Sequence, residues 1–90
     1  MRKRIAVIVG PRQGEGLRMA LGLTLSNDQV DVYLRGPLRE PSEQTRMSIE
    51  MLREVGAGLY VVEGSEEGFS PVEPKELAQR LLGYDLVVPY

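Results

Sequence analysis

The chain has 90 residues and a mass of 10.0 kDa, a length that predicts a single small domain over residues 1–90. Its 11 basic and 13 acidic residues give a net charge of −2, and a pI of about 5.1 without a basic stripe argues against nucleic-acid binding. Cysteine and histidine are absent, which excludes disulfides, thiol nucleophiles, imidazole bases and the metal sites that need these ligands. The remaining side chains titrate far from neutrality unless strongly perturbed, so the composition favours a non-catalytic protein over an enzyme, and we expect no bound cofactor.

The amino-terminal segment does not have the pattern of a membrane or export signal. The longest apolar run, Ile5 to Val9, is about a quarter of a membrane span. The basic start Arg2-Lys3-Arg4 leads into that run too briefly to form a signal peptide. We therefore expect a soluble cytoplasmic protein that has no membrane partner.

The first half of the chain predicts two strands with a helix between them. Arg4 to Val9 is continuous and rich in β-branched residues, which is typical of a strand buried on both faces, and Gly10-Pro11 ends it. Leu17 to Leu25 carries apolar residues on a wide arc and predicts a helix. Val30 to Leu34 alternates more, as expected of a strand with one face less completely covered, and Gly36-Pro37 ends it.

The second half predicts two further helices and two further strands. Pro41-Ser42 offers a helix N-cap, and the apolar spacing that follows predicts an amphipathic helix that ends at Gly56. Its apolar residues are Met47, Ile49, Met51, Leu52 and Val55. Gly58 to Val62 and Asp85 to Val88 predict strands, and a helix lies between Pro74 and Gly83. The residues of this last helix that are predicted to point inward are Leu77, Ala78, Leu81 and Leu82.

This alternation of elements predicts an α/β fold. Right-handed crossovers give a small parallel four-stranded sheet flanked by helices on both faces, a flavodoxin-like three-layer α/β/α arrangement. Ligands of such folds bind outside the carboxyl ends of the strands. In this chain those ends lead into Gly10–Gly16, Arg35–Glu40 and Glu63–Gly68, so we expect any site among these three loops.

The stretch from Gly10 to Gly16 is the most suggestive of a ligand site. Glycines after a first strand let backbone N–H groups at a helix N-terminus face an anion, with Arg12 or Arg18 nearby. The stretch matches neither the P-loop nor the dinucleotide fingerprint, and Glu15 adds negative charge, so an ordinary βα turn is the alternative. The predicted anion or nucleotide site consists of Arg12, Gln13, Gly14, Gly16, Arg18, Arg35, Glu63 and Ser65.

Three further groups of residues each allow a structural and a functional interpretation. Glu63, Glu66 and Glu67 are oxygen ligands of the kind that hard cations prefer, although glutamates in a polar loop are usually solvated. Tyr33 and Tyr60 fall in strands, which predicts half-buried rings with hydroxyls at the surface. The helical spacing of Met47 and Met51 predicts a core or subunit-interface position.

The order of elements resembles that of the DsrE/DsrF-like sulfur-relay family, which includes the TusB, TusC and TusD subunits. The resemblance is carried by Lys3–Val9 running into Gly10-Pro11, by the helix–glycine–strand passage Val55–Val62, and by the closing segment Leu77–Val88. Sulfur-carrying members have a persulfide cysteine at the end of the third strand, where this chain has Val62 and Glu63. Sulfur transfer by this chain alone is therefore excluded.

The resemblance implies a non-catalytic DsrE-like module that forms a homo-oligomer and acts beside a cysteine-bearing sulfur-relay partner. A small sheet with open edges gives an independent reason to self-associate, because a short chain buries a modest fraction of its surface. The residues themselves leave a second function open. In that alternative the chain is a binding protein for a small anion or nucleotide, and its site is the stretch Gly10–Gly16.

Overall fold

The computed structural model describes residues 2–90 and arranges them as a parallel sheet between helices. The elements are β1 (Arg4–Val9), α1 (Gln13–Thr24), β2 (Gln29–Leu34), α2 (Glu43–Glu54), β3 (Gly58–Val62), β4 (Ser70–Val72), α3 (Pro74–Leu81) and β5 (Leu86–Pro89). The strand order is β4-β3-β2-β1-β5, and all four pairings are parallel. The predicted α/β class is confirmed, with five strands where four were predicted. None of the helices in this part of the chain is long and apolar enough to cross a membrane.

The strand that the sequence analysis missed is β4. It has three residues, pairs only with β3 and carries Pro71 at its centre. Proline lacks the N–H group that a central strand must donate, so it is accepted on an edge strand. The other edge strand, β5, also contains a proline, Pro89. Both edge strands are therefore short, and each contains a proline.

One face of the sheet is covered by α1 and α2, which contact each other. Gly16 lets α1 approach β1, because a Cβ atom at this position would lie 2.9 Å from Cγ1 of Val9. The buried residues of this layer are Ile5, Val7, Val9, Leu17, Ala20, Val30, Val32, Leu34, Ile49, Leu52, Leu59, Val61 and Phe69. The larger of the two apolar cores thus lies beneath these two helices.

The other face is covered by α3, which returns the chain from one edge of the sheet to the other. Leu77 and Leu81 pack against the smaller core. The buried members of that core are Ala6, Tyr33, Val62 and Val72. The prediction that Ala78 and Leu82 also point inward is wrong, since Ala78 is exposed and Leu82 is 88% exposed. The helix ends at Leu81 and contributes a single apolar stripe, so Leu82 turns away from the sheet at the C-cap.

The central strand, β2, is buried on both faces, contrary to the prediction that one face is less covered. Val30 to Leu34 are all buried, including Asp31 and Tyr33. The expectation that the Tyr33 hydroxyl reaches the surface is also wrong, because this residue is 0% exposed. The cause is topological, since β2 lies in the middle of five strands with helices on either side.

The buried side of α2 is not the side that carries the methionines, for which the apolar spacing predicts a core or subunit-interface position. Met47 and Met51 are 58% and 50% exposed, which excludes a core position for them in this chain. Thr45 and Ser48 are buried together with the apolar residues of the same helix. The reason is the close approach of α1, because a Cβ atom at Gly14 would lie 2.9 Å from Oγ1 of Thr45. Small side chains are required where the helices meet.

Candidate functional site

A cleft opens between the first turns of α1 and α2, at the carboxyl end of the sheet. It encloses about 200 Å³. The residues that line it are Gly14, Glu15, Arg18, Ser42, Gln44, Thr45 and Ser48. Helix N-termini that follow parallel strands meet at this edge, which is where ligands of such sheets bind. The cleft therefore lies at the edge where the sequence predicted a site.

Two hydroxyl side chains at the start of α2 form one wall of the cleft. The Oγ atom of Ser42 accepts a hydrogen bond from the backbone N–H of Thr45 at 3.1 Å and caps the helix. The Ser42 hydroxyl also donates to Oγ1 of Thr45 at 3.1 Å. Because Thr45 accepts in this pair, its own hydroxyl proton stays available to a group in the cleft.

Ser48, one turn further along α2, extends this wall. The residue is 8% exposed and lines the cleft, yet its hydroxyl makes no hydrogen bond to any of residues 2–90. Among residues 2–90, no fully buried side-chain nitrogen or oxygen atom lacks a hydrogen-bond partner, so the Ser48 hydroxyl is in contact with the solvent of the cleft. The Ser48 hydroxyl is thus free to bind water or a polar ligand in the cleft.

The opposite wall, on α1, carries one side chain of each charge. Arg18 is exposed and forms no ion pair with the residues that the structure describes. The carboxylate of Glu15 lies 3.8 Å from the guanidinium of Arg12 and accepts a hydrogen bond of 3.4 Å from the hydroxyl of Tyr90. Both contacts of Glu15 are long, so neither charged group of this wall has a strong protein partner.

The side chain of Gln13 has a structural role at the start of α1. Its Nε2 group donates to the carbonyl of Pro37 at 3.0 Å, and its Oε1 atom accepts from the backbone N–H of Arg39 at 3.0 Å. The residue is buried and lines a second compartment of about 300 Å³ that shares Gly14 with the first. Gln13 therefore fixes the first turn of α1 against the loop between β2 and α2.

Of the eight predicted site residues, Gly14 and Arg18 line the cleft and Gln13 lines the adjoining compartment. The other five line neither of these spaces; they are Arg12, Gly16, Arg35, Glu63 and Ser65. Gly14 and Gly16 are helical because α1 begins at Gln13, whereas the prediction placed them in a loop before a helix at Leu17. The N–H of Gly16 already donates to the carbonyl of Arg12 at 2.9 Å, so it is not free to bind an anion.

The glutamates after β3 do not form a cation site. Oε1 of Glu66 accepts a hydrogen bond of 2.8 Å from the backbone N–H of Leu38 and ties two loops together. Within residues 2–90, no group of three or more carboxylates is close enough to hold a metal ion. The geometry of this loop gives no support to the interpretation of Glu63, Glu66 and Glu67 as cation ligands.

A buried polar network lies on the α3 face, near the amino ends of the strands. Asp31 accepts hydrogen bonds from the backbone N–H of Gly58 and from Nε2 of Gln29, both at 3.2 Å. Its other oxygen accepts from the hydroxyl of Tyr84 at 2.5 Å, and the Tyr33 hydroxyl lies 2.6 Å from that of Tyr84. Since Tyr84 donates to the carboxylate, Tyr33 must donate to Tyr84.

Two cations border this network without neutralising the aspartate. The guanidinium of Arg4 lies 4.8 Å from the ring centre of Tyr84, and that of Arg80 lies 4.8 Å from the ring centre of Tyr60. Burial, followed by the hydrogen bond to Asp31, raises the pKa of the Tyr84 hydroxyl well above its ordinary value. A network of fully satisfied groups at this end of the sheet is a structural feature, because it joins β2, β3 and the start of β5.

Sequence reasoning missed the hydroxyls of α2 as site residues. Ser42, Thr45 and Ser48 recur at intervals of three residues, which places them along one side of a helix. That spacing is visible in the sequence, but it is not distinguished from the ordinary polar side of an amphipathic helix. The tyrosine network leaves no such signal, because its members come from distant parts of the chain.

No family model matches the chain, and no curated protein and no solved structure matches it. The likeness to the sulfur-relay family stays a prediction from the sequence.

Proposed function

We propose that this chain is a non-catalytic module that binds the anionic group of a small polar ligand in the cleft between α1 and α2. The observation that carries the proposal is the hydroxyl of Ser48, a residue that is 8% exposed and lines the cleft; this hydroxyl contacts the solvent of the cleft and has no hydrogen-bond partner among residues 2–90. The other hydrogen-bond donors around the cleft favour a ligand that has several acceptor atoms. A carboxylate, sulfate or phosphate group satisfies several donors at once.

The donors around the cleft come from both helices. Arg18 supplies a guanidinium that has no ion-pair partner among residues 2–90, and Thr45 supplies a hydroxyl proton. The first backbone N–H groups of α1, which begins at Gln13, lack acceptors within the helix. Helix N-termini also carry positive partial charge, which adds to the attraction for an anion.

The size of the cleft favours a compact ligand over a nucleotide. Its volume is about 200 Å³. Sites for drug-sized ligands usually enclose about 300–1,000 Å³. The cleft alone therefore fits a small anion better than a nucleotide, which would also need the adjoining compartment of about 300 Å³.

The proposal predicts that inorganic sulfate or phosphate raises the melting temperature of the protein in a saturable way. Ser48→Ala should weaken this binding about tenfold, because it removes a hydrogen bond to a charged group. Arg18→Gln should weaken it by a similar or larger factor. Thermal unfolding at increasing anion concentrations, at constant ionic strength, measures both effects.

Two control variants match these substitutions outside the cleft. Ser26→Ala removes an exposed serine hydroxyl, and Arg35→Gln removes an exposed arginine charge that does not line the cleft. Both should keep the response of the unmodified protein. A protein whose melting temperature ignores both anions, or a loss of response that is equal in Ser26→Ala and Ser48→Ala, would contradict the proposal.

A second candidate function is self-association, which an exposed apolar stripe on α2 favours. Met47, Met51 and Val55 are 58%, 50% and 56% exposed and recur every four residues. Methionine-rich surfaces adapt well to protein partners. The prolines in β4 and β5 disfavour extension of the sheet, so the stripe is the better contact surface. Action beside a cysteine-bearing sulfur-relay partner is supported only by the sequence resemblance.

Met51→Lys tests this candidate, because it places a charge at the centre of the stripe. We expect the unmodified protein to sediment as an oligomer at high concentration and the variant as a monomer. Leu82→Lys is the control, since Leu82 is 88% exposed and lies outside the stripe. Sedimentation velocity over a series of concentrations distinguishes the outcomes. A monomer at every concentration would show that the chain does not self-associate.

A further inference from the structure

We infer that the ligand of the α1–α2 cleft is dipolar, with an acidic group that binds Arg18 and Ser48 and an ammonium group that binds Glu15. The inference rests on the proposed function and adds the second charge of the ligand. Its basis is that α1 places one cation and one anion in the same cleft, and that neither has a strong partner among residues 2–90.

The positions of the two charges support this inference. Glu15 and Arg18 are three residues apart on α1, a spacing that allows a salt bridge within a helix. They nevertheless form no ion pair with each other, although both line the cleft. Glu15 instead lies 3.8 Å from Arg12, and its side chain is 57% exposed. Its carboxylate therefore remains accessible to a cationic group in the cleft.

Glu15 would be unfavourable in a site for a simple anion. Like charges in one small cleft repel each other, and a multiply charged anion suffers most. In a ligand that also carries an ammonium group, the attraction between this group and Glu15 offsets the repulsion of the acidic group. Glu15 thus discriminates between ligands, because it weakens the binding of simple anions and strengthens that of zwitterions.

The chemical class that fits is an acidic group and an ammonium group on a short aliphatic linker. Amino acids, aminoalkyl sulfonates and phosphoethanolamine share this chemistry. All of them are compact, in keeping with a cleft of about 200 Å³. The Ser48 and Thr45 hydroxyls would bind the acidic group from the α2 side, while Glu15 binds the ammonium from the first turn of α1.

Isothermal titration calorimetry with matched probes tests the inference. β-Alanine is compared with propionate, and O-phosphoethanolamine with ethyl phosphate, so that each pair differs chiefly by the ammonium group. We expect the zwitterion of each pair to bind about threefold to fivefold more tightly, the effect of one exposed ion pair. Glu15→Gln should abolish this preference, and Arg18→Gln should weaken the binding of all four probes.

The outcomes separate this inference from the proposed function. If the simple anions bind and the ammonium group adds nothing, the ligand is not dipolar and the cleft remains an anion site. A preference that survives in Glu15→Gln would likewise overturn the role given to this carboxylate. If none of the four probes binds, the proposed function fails as well. Glu54→Gln, which lies outside the cleft, should keep the full preference of the unmodified protein.

Discussion

Gly58→Ala is expected to lower the free energy of unfolding by about 2–3 kcal/mol, the cost of overpacking a tightly packed interior. A Cβ atom at this position would collide with Oδ1 of Asp31 and lie 2.8 Å from Cε2 of Tyr60. The collision also displaces the carboxylate that accepts the N–H of Gly58 at 3.2 Å. Both neighbours are held in place, because Asp31 accepts hydrogen bonds from Gly58 and Tyr84, and Tyr60 stacks on Tyr33. Urea unfolding measures the change.

Gly22→Ala is the matched control for this prediction. Gly22 lies inside α1, and a Cβ atom there would have no neighbour within 4 Å. Alanine is favoured over glycine in a helix interior by about 0.5–1 kcal/mol, so this variant should be more stable than the unmodified protein. Similar stabilities for the two variants would show that the crowding around Gly58 is not a constraint on the fold.

Tyr84→Phe is expected to lower the free energy of unfolding by about 1–2 kcal/mol, because one oxygen of the buried Asp31 carboxylate loses its donor. The Tyr33 hydroxyl loses its acceptor at the same time. Tyr84 is half-buried, so water replaces part of the lost interaction and keeps the cost in this range. Tyr60→Phe removes a hydroxyl that has no hydrogen bond to residues 2–90 and should be nearly neutral.

The same network predicts a loss of stability in alkali. The raised pKa of Tyr84 means that the folded state keeps its proton at pH values where the unfolded chain, with a tyrosine pKa near 10, releases it. The unfolded state then binds fewer protons, so the free energy of unfolding falls as the pH rises above about 10. Below that pH the contribution is fully present.

Urea unfolding at about pH 9 and about pH 11 checks this dependence. The unmodified protein should lose more stability between the two values than Tyr84→Phe, which has no proton to release at this position. An equal loss in both proteins would assign the alkaline dependence to other groups and would contradict the role of Tyr84. Tyr60→Phe, with its Tyr84 network intact, should follow the unmodified protein.

Much of the architecture could be predicted because local sequence patterns, such as apolar runs and helix-starting prolines, determine most of its elements. The continuous apolar run of β1 and the proline that opens α3 each determine the element in which they lie. β4 could not be found in this way, because three residues around a proline carry no usable periodicity and the pairing with β3 is a tertiary property. The burial of Asp31 is likewise set by the position of β2 in the sheet, and strand order is not a local signal.

The candidate site was only partly predictable for a related reason. The rule that ligands bind at the carboxyl ends of parallel strands pointed to the edge of the sheet where the cleft lies, and Arg18 and Gly14, which line it, were among the predicted residues. The hydroxyls of α2 line the cleft because α1 packs closely against that side of α2 at Gly14. Such an approach depends on how two helices pack, which the spacing within either helix does not reveal.

The stacked arrangement of Tyr33 and Tyr60 also determines what optical spectroscopy can detect in this protein. The chain has four tyrosines and no tryptophan, so tyrosines dominate its near-ultraviolet absorption and fluorescence. Tyr33 lies 4.9 Å from the ring of Tyr60 and 6.1 Å from that of Tyr84, so these three chromophores are coupled beneath α3. Near-ultraviolet circular dichroism therefore reports chiefly on the α3 face. Tyr90, whose hydroxyl contacts Glu15, provides a separate intrinsic probe beside the cleft.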